Sequence, residues 1–209
     1  DDVLAGAANL AKQIENVKVH GVTPVVAING FPTDHKSEHE AIRKVAEAAG
    51  ARVAVCTHFA DGGAGATELA HAVIEACEEP SGFRFLYADT DSLKTKIEKV
   101  ATTIYGAERV EYTAAASKQL KNYEDNGFGN LPVCIAKTHL SISGDASLKG
   151  APTGHTLTVR EARASVGAGF VYPICGEMRT MPGLGTKPAA SIIDFDDDGK
   201  LDLFMVGAD

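Results

Sequence analysis

TPVVAINGFPTDHK, residues 23–36, decides the first part of the fold. The run from Thr23 to Ile28 is short and apolar, and the loop after it places a glycine and a proline on either side of Phe31. A helical period then follows from Lys36 to Ala49. An apolar run, a loop and an amphipathic helix in this order predict the strand and helix of a β-α-β unit.

The same order repeats immediately afterwards. Arg52 to Cys56 is a second apolar run, Asp61-Gly-Gly-Ala-Gly65 reads as a glycine-rich loop, and a helical period covers residues 66–78. A further helix is predicted from Leu4 to Val19, before the first strand. Strands that alternate with helices in this way favour a parallel sheet in an α/β domain.

The pattern changes after Pro80, where glycine and proline become frequent and the predicted strands are short. We therefore expect two domains, the end of a parallel α/β domain over residues 1–105 and a smaller, loop-rich α+β domain over residues 106–209. The predicted helices of this part cover 92–105 and 114–124, and its predicted strands cover 133–136, 156–160, 170–174 and 201–205.

Composition excludes several classes of function. The net charge of -8 would repel a phosphate backbone, and the 20 Lys and Arg residues are scattered, so nucleic acid is not expected as a partner. No apolar run approaches the ~20 residues that span a bilayer, and the first residues do not resemble a secretion signal. We expect a cytoplasmic protein, with the mitochondrion as the alternative, and we expect reduced cysteines at positions 56, 77, 134 and 175.

Several motifs that carry chemistry are incomplete, and no metal site is predicted. The acidic stretch Asp194–Gly199 resembles the start of a calcium loop, but Met205 stands where the loop requires a carboxylate. His35 and His39 are four residues apart, but Lys36 stands where the zincin motif needs a glutamate, and no third ligand is indicated. Cys56 and His58 form no complete ligand set. Neither G-x-S-x-G nor G-x-x-x-x-G-K-[ST] occurs in the sequence.

Two aromatic residues follow the first two strands at the same edge of the predicted sheet. Phe31 lies in the first loop and Phe59 in the second, and ligands of open parallel sheets bind at this edge. If the strands are neighbours, the rings can stand about 7 Å apart, twice a stacking distance of ~3.5 Å, which fits one flat heterocycle. Pro32 restricts Phe31, while Gly62 and Gly63 allow a ligand to approach closely. The alternative is that each Phe turns into the core.

Six stretches of the chain closely resemble the C-terminal part of formate–tetrahydrofolate ligase, also called formyltetrahydrofolate synthetase. They occur in the same order over nearly the whole chain, and two of them, THFADGG and KTHLSIS, look more like the synthetase portion of the eukaryotic-type C1-tetrahydrofolate synthase. The stretches are GAANLAKQIEN, INGFPTDHKSE, VCTHFADGGAGATELA, GFGNLPVCIAKTHLSIS, APTGHTLTVREARASVGAGF and GEMRTMPGLGTKPAASIIDFDDDGK.

The resemblance implies folate binding at the two aromatics. In that family the pterin stacks between a Phe and a Trp, and the matching positions are Phe31 and Phe59, with Pro32, Gly62 and Gly63 beside them. Phe59 departs from the usual Trp, which reduces the stacking area. The resemblance also implies that Pro152, Thr153 and Gly154 lie near the nucleotide. The family's loop motif corresponds to Met181, Pro182, Gly183 and Leu184, and Gly185 replaces its usual proline.

The activity that the resemblance implies belongs to a longer polypeptide. In the first step, formate and ATP, with Mg²⁺, would give formyl phosphate. Formyl phosphate would then pass its formyl group to N10 of tetrahydrofolate. The product would serve one-carbon metabolism and purine precursor supply. The resemblance places the present chain at the end of a P-loop-NTPase-like domain. We expect the phosphate loop and the catalytic residues in a missing N-terminal half, no turnover by this chain alone, and a homo-oligomer. The alternatives are a non-catalytic folate-binding or assembly module and an α/β domain without a folate site.

Overall fold

The computed structural model describes residues 2–176, so the predicted strand at 201–205 and the motif at 181–184 lie outside the described residues. The first half of the described chain alternates helices and strands as the sequence predicts. Its elements are α1 (Asp2–Val19), β1 (Val25–Asn29), α2 (Lys36–Ala48), β2 (Arg52–Cys56), α3 (His58–Asp61) and α4 (Thr67–Glu78).

Strands β1 and β2 form a parallel pair whose register runs from Val25 opposite Arg52 to Asn29 opposite Cys56. This pairing confirms the predicted β-α-β unit. Helices α1 and α2 pack against the pair through a small apolar cluster. Its buried members are Ile14, Ala46 and Ala51, and Leu10, Val26, Ala49 and Val53 pack around them.

The glycine-rich segment after β2 is not the open loop that the sequence predicts. It forms the short helix α3 and then a 3₁₀ turn over Gly62–Ala66, which continues into α4. The carbonyl oxygen of Thr57 accepts the N–H groups of Ala60 and Asp61, and the N–H of Thr57 donates to the carbonyl oxygen of Gly65 at 2.9 Å. These local hydrogen bonds close the segment into helical turns because its glycines leave the backbone free to adopt them.

The second half of the described chain is a mixed three-stranded sheet with two helices. Strand β3 runs parallel to β4, and β4 runs antiparallel to β5. The architecture is therefore α/β with a small parallel sheet and a small mixed sheet. The elements are α5 (Leu93–Thr103), β3 (Ala107–Tyr112), α6 (Ala114–Asp125), β4 (His155–Ser165) and β5 (Phe170–Cys175).

In this half the sequence prediction misses one strand and predicts another that forms no continuous ladder. Strand β3 is missing from the prediction, because three of the six residues of AERVEY are charged and only Ala107, Val110 and Tyr112 are buried or half-buried. Residues 133–136 lie beside β5 but make only isolated bridges. Pro173 on β5 has no N–H to donate, so a continuous ladder cannot form there.

The main core lies under the mixed sheet. Helices α5 and α6 cover it with Ile97 and Leu120, and β4 contributes Leu157 and Val159, all of which are fully or almost fully buried. This cluster also contains Leu93, Ala101, Ala107, Ala116, Ala162, Val171 and Cys175. The predicted domain boundary after residue 105 stays a prediction. Across residues 2–176, no helix combines the length and the apolar character that crossing a bilayer requires.

Candidate functional site

The loops that carry the two aromatics leave the parallel pair side by side. Asn29 and Cys56 are the last residues in register, and one residue later the N–H of Gly30 donates to the carbonyl oxygen of Cys56 at 2.9 Å. This hydrogen bond joins the start of the Phe31 loop to the start of the Phe59 segment. The parallel pairing thus places both segments at one edge of the sheet, as the sequence predicts.

A closed turn holds Phe31. Its N–H donates to the Asp34 carboxylate at 2.8 Å, and the N–H of Asp34 donates back to the carbonyl oxygen of Phe31 at 3.0 Å. The same carboxylate oxygen lies 3.0 Å from Nε2 of His39 on α2. The hydrogen bond from Phe31, followed by that from His39, lowers the pKa of Asp34. The loop is therefore fixed to the helix behind it.

Phe59 is presented by the short helix α3 rather than by an extended loop. At its start, Sγ of Cys56 lies 3.0 Å from Nδ1 of His58. The Thr57 hydroxyl donates to the Asp61 carboxylate at 2.7 Å, which ties the two ends of the helical turn together. Cys56 is buried, and Phe59 is 73% exposed. The hydrogen bond thus joins the buried Cys56 at the end of β2 to the exposed His58, which precedes the solvent-facing Phe59.

The two rings contact each other. Their centroids are 5.5 Å apart, and the ring planes are inclined at 49°. Phe31 is 45% exposed and Phe59 is 73% exposed, so the alternative that both rings are core residues is wrong. The spacing, however, is smaller than the predicted gap of about 7 Å. A flat guest can enter between the rings only if they separate by about 1.5 Å and become parallel.

The glycines beside Phe59 differ in the space around them. A Cβ atom at Gly62 or Gly63 would meet no heavy atom within 4 Å, whereas one at Gly65 would lie 2.6 Å from the carbonyl carbon of Thr57. Gly62 also has a φ of 57°, which disfavours any residue with a side chain. Gly62 and Gly63 therefore leave the surface open beside Phe59, and Gly65 allows the backbone to pack closely below it.

A recess of about 540 Å³ opens next to the Phe31 loop. It lies between α1, β1 and α2, and its lining combines apolar side chains such as Leu10 and Ile42 with Asn29, Asp34 and His39. The sequence prediction missed Asp34 and His39 as parts of this site. The signal for Asp34 was its position three residues after Phe31 in a Pro-Thr-Asp turn, where a carboxylate can accept the N–H of the aromatic residue.

The other predicted site residues lie elsewhere or outside the described chain. Pro152, Thr153 and Gly154 precede β4, and the N–H of Gly154 donates to the carbonyl oxygen of Gly106 at 3.1 Å. They therefore belong to the mixed sheet and not to the parallel pair. Met181, Pro182, Gly183 and Leu184 lie outside the described residues. Within residues 2–176, no three His, Cys, Asp or Glu side chains form a group that could hold a metal ion.

Comparison with known proteins identifies relatives over nearly the whole chain. The family model described as formate–tetrahydrofolate ligase matches residues 1–204. A formate–tetrahydrofolate ligase from Saccharopolyspora erythraea is 66% identical over 201 residues, which are 96% of this chain and 36% of the relative. The proteins of the same name from Cutibacterium acnes and Herpetosiphon aurantiacus are 61% and 55% identical, with 96% of this chain covered in each case. The chain thus spans about a third of the length of the curated relatives that it matches.

Proposed function

The chain belongs to the formate–tetrahydrofolate ligase family, and from this premise we propose that it carries the pterin-binding side of an ATP-dependent ligase that makes 10-formyltetrahydrofolate. The observation that carries this proposal is the exposed pair of Phe31 and Phe59 at the edge of the parallel strands. The two rings lie beside a recess of about 540 Å³ with a largely apolar lining, and an exposed apolar patch at a groove is typical of a ligand-binding site.

The pterin enters between the two rings. Each ring is held by a short, hydrogen-bonded segment, so a change of side-chain torsion can separate the rings without moving the strands. Stacking of a base on an aromatic side chain contributes about 1–3 kcal/mol, and the pterin bicycle offers a similar flat face. Pro32 limits the Phe31 backbone, and the open surface at Gly62 and Gly63 leaves room for the ligand beside Phe59.

The recess next to the Phe31 loop extends this site. Its apolar lining suits the body of a ligand, and Asn29 at its edge supplies an amide that can both donate and accept hydrogen bonds. The Asp34 carboxylate already accepts from Phe31 and His39, so its first role is to hold the loop. The hydrogen-bonded loop fixes the backbone, and the exposed rings are free to change their side-chain torsions, as a slot that opens for its ligand requires.

The chemical steps depend on the rest of the polypeptide. We propose that the remaining length of the ligase supplies the phosphate loop, the sites for ATP and Mg²⁺, and the residues that form formyl phosphate. Pro152, Thr153 and Gly154 are proposed to lie near the nucleotide in the assembled enzyme. A P-loop-NTPase-like first domain, the boundary after residue 105, homo-oligomer formation and a cytoplasmic location stay predictions.

A binding measurement tests this function on the chain itself. Tetrahydrofolate is titrated under anaerobic conditions into the 209-residue chain and its Phe31→Ala variant, with Phe83→Ala as the control because Phe83 is an exposed Phe outside the site. We expect Phe31→Ala to weaken binding by about fivefold to 150-fold, the equivalent of one stacking contact. Binding that is absent, or that both variants leave unchanged, would refute the proposed site.

A second measurement separates the ligase from a non-catalytic module with the same pocket. The chain is mixed with the remaining part of a relative, and formation of 10-formyltetrahydrofolate from ATP, formate and tetrahydrofolate is assayed. Turnover by the mixture, but not by either part alone, supports the ligase. Folate binding without turnover in the mixture supports the binding module instead.

A further inference from the structure

Helix α4 carries more apolar surface than the sheet beneath it covers. The helix packs against β2, and its half-buried residues are Leu69, Ala72 and Ala76. These three share one side of the helix, because they are spaced three and four residues apart. None of the twelve residues of α4 is buried by the part of the chain that the structure describes. The helix therefore lies on the sheet with most of its circumference open to solvent.

A second apolar stripe runs along α4 beside the side that faces the sheet. Val73 is 43% exposed and Ile74 is 56% exposed, and Ala70 and Cys77 are exposed as well. At ~3.6 residues per turn, these four positions share one side of the helix, and we call them the outer stripe. The two apolar sides together cover about 200° of the helix, whereas one apolar stripe of roughly 100° is typical of a surface helix.

The helix that presents the outer stripe is tied to the sheet. Arg52 of β2 donates to the Glu75 carboxylate at 2.9 Å and to the Glu79 carboxylate at 2.7 Å. These contacts hold the last turns of α4 on the strand, so the exposure of Val73 and Ile74 belongs to a docked helix. An apolar stripe that stays exposed on a docked helix is typical of a surface that another protein segment covers.

Size and charge argue against a second copy of this chain as that segment. A standard interface buries ~800 Å² on each partner with ~20–30 residues, so four residues correspond to only on the order of 150 Å². In a two-fold dimer the same patch would meet itself, and Glu78, one turn after Ile74, would approach its own copy. The net charge of -8 adds to this repulsion.

The length of the relatives indicates a different occupant. The region that matches this chain is 36% of the Saccharopolyspora erythraea relative, so most of that polypeptide lies outside the match. A small apolar contact can be stable within one polypeptide, because the covalent connection keeps the two surfaces at a high effective concentration. The small area that argues against a free dimer is therefore sufficient for a contact inside a longer chain.

We propose that the outer stripe of α4 is the docking surface for an apolar segment in the remaining part of the ligase polypeptide. Val73 and Ile74 are the anchoring side chains, and the small Ala70 and Cys77 allow the segment to approach closely. Glu78 at the edge of the stripe favours a basic residue on the partner segment. The inference rests on that part of the proposed function which assigns this chain to a longer ligase, and it uses no residue of the folate site.

Labelling of the Cys77 thiol tests the proposal. The 209-residue chain is compared with a full-length polypeptide in which it replaces the matching region of the Saccharopolyspora erythraea relative. Both are treated with iodoacetamide in the absence of folate, and mass spectrometry follows the peptide that contains Cys77. We expect labelling to be about tenfold slower or more in the full-length polypeptide, since it requires local opening. His71→Cys in a Cys77→Ser background lies on the polar side of α4 and should react equally fast in both.

A pair of substitutions gives an independent readout. Ile74→Glu places a charge on the outer stripe, and His71→Glu places the same charge on the polar side of the helix. Neither should change the urea midpoint of the 209-residue chain, because both positions are exposed there. In the full-length polypeptide, Ile74→Glu should lower the melting temperature by about 2–4 °C or more, whereas His71→Glu should leave it unchanged.

Three results would overturn the proposal. The first is equal labelling of Cys77 in the two forms, and the second is a Cys77 that is already protected in the dilute 209-residue chain. The third is protection that increases with the concentration of the 209-residue chain, which would indicate a second copy as the occupant. Folate titration is a separate measurement, so a failure of the folate site leaves the Cys77 result unaffected, and the reverse also holds.

Discussion

The N–H of Phe31 donates to the Asp34 carboxylate at 2.8 Å, so a charged group fixes the backbone of an aromatic residue that faces solvent. The lowered pKa of Asp34 follows first from this hydrogen bond and then from that of His39. The position of the first ring is therefore linked to the ionisation of a carboxylate in its own loop.

The Phe31 loop should loosen in acid. Because the folded-state pKa of Asp34 is depressed, its stabilising effect is fully present above the ordinary carboxyl value of about 3.9 and is lost as the pH falls through the lower folded-state pKa. Hydrogen exchange of the Phe31 amide, measured as the pH is lowered, should show this loss in the wild type. Asp34→Asn keeps an acceptor oxygen without the charge and should remove the pH-dependent step. If Asp34→Asn shows the same pH dependence of Phe31 amide exchange as the wild type, groups other than Asp34 cause it.

Gly65→Ala should disturb the segment that presents Phe59. The new Cβ would lie 2.6 Å from the carbonyl carbon and 2.8 Å from the carbonyl oxygen of Thr57, so the backbone must move. We expect a loss of about 1–3 kcal/mol in the free energy of unfolding, as for other overpacked sites. Gly63→Ala is the matched control and should change stability by less than about 0.5 kcal/mol, because nothing lies near its new Cβ. Equal urea midpoints for the two variants would contradict this packing.

Leu157→Ala should destabilise the mixed sheet strongly. Leu157 lies in β4 and is fully buried between the sheet and helices α5 and α6. Removal of its side chain leaves a cavity, and we expect a loss of about 2–5 kcal/mol in the free energy of unfolding. Leu148→Ala, at an exposed position, should cost less than about 0.5 kcal/mol. Urea unfolding of both variants gives the comparison, and a small effect at Leu157 would show that the core lies elsewhere.

Phe59→Trp should strengthen folate binding. The larger ring adds roughly 40 Å² of stacking surface, which corresponds to about 1 kcal/mol, or about fivefold in affinity. Phe59 is exposed, so the substitution does not require the core to repack. Titration with tetrahydrofolate measures the change, and Phe83→Trp controls for a general effect of an added exposed indole. Weaker binding by Phe59→Trp than by the wild type would show that this ring does not stack on the ligand.

The parallel pair could be predicted because its strands are short apolar runs separated by an amphipathic helix. β2 begins and ends where the sequence indicates, and β1 differs by two residues at its start and one at its end. Strand β3 could not be predicted in this way, because its charged residues interrupt the apolar run that would indicate a strand, and only one face of the strand packs on the core. The bridges at residues 133–136 pair this segment with Val171 and Ile174, which lie far along the chain, and a local pattern cannot reveal such partners.

The location of the candidate site could be predicted from the sequence, but the contact between its two rings could not. The order of strands and helices predicts a parallel pair, and the loops that follow parallel strands lie at the same edge of the sheet. Phe31 and Phe59 could therefore be placed together from sequence. The contact between their rings depends on side-chain torsions. The predicted ring spacing assumed a flat ligand between the rings, so it does not apply to two rings that contact each other directly. The hydrogen bond that His39 makes with Asp34 depends on how α2 turns back beside its own entry loop, which the sequence pattern does not specify.

The most direct test of the shared slot is a double-mutant cycle on Phe31 and Phe59. Tetrahydrofolate affinity is measured for the wild type, Phe31→Ala, Phe59→Ala and the double variant, and urea unfolding of the same four proteins without ligand corrects for the contact between the free rings. If the rings enclose one pterin, the two losses should be non-additive by about 1 kcal/mol or more after this correction. Strictly additive losses, or no loss in either single variant, would contradict the claim that both rings hold the same ligand.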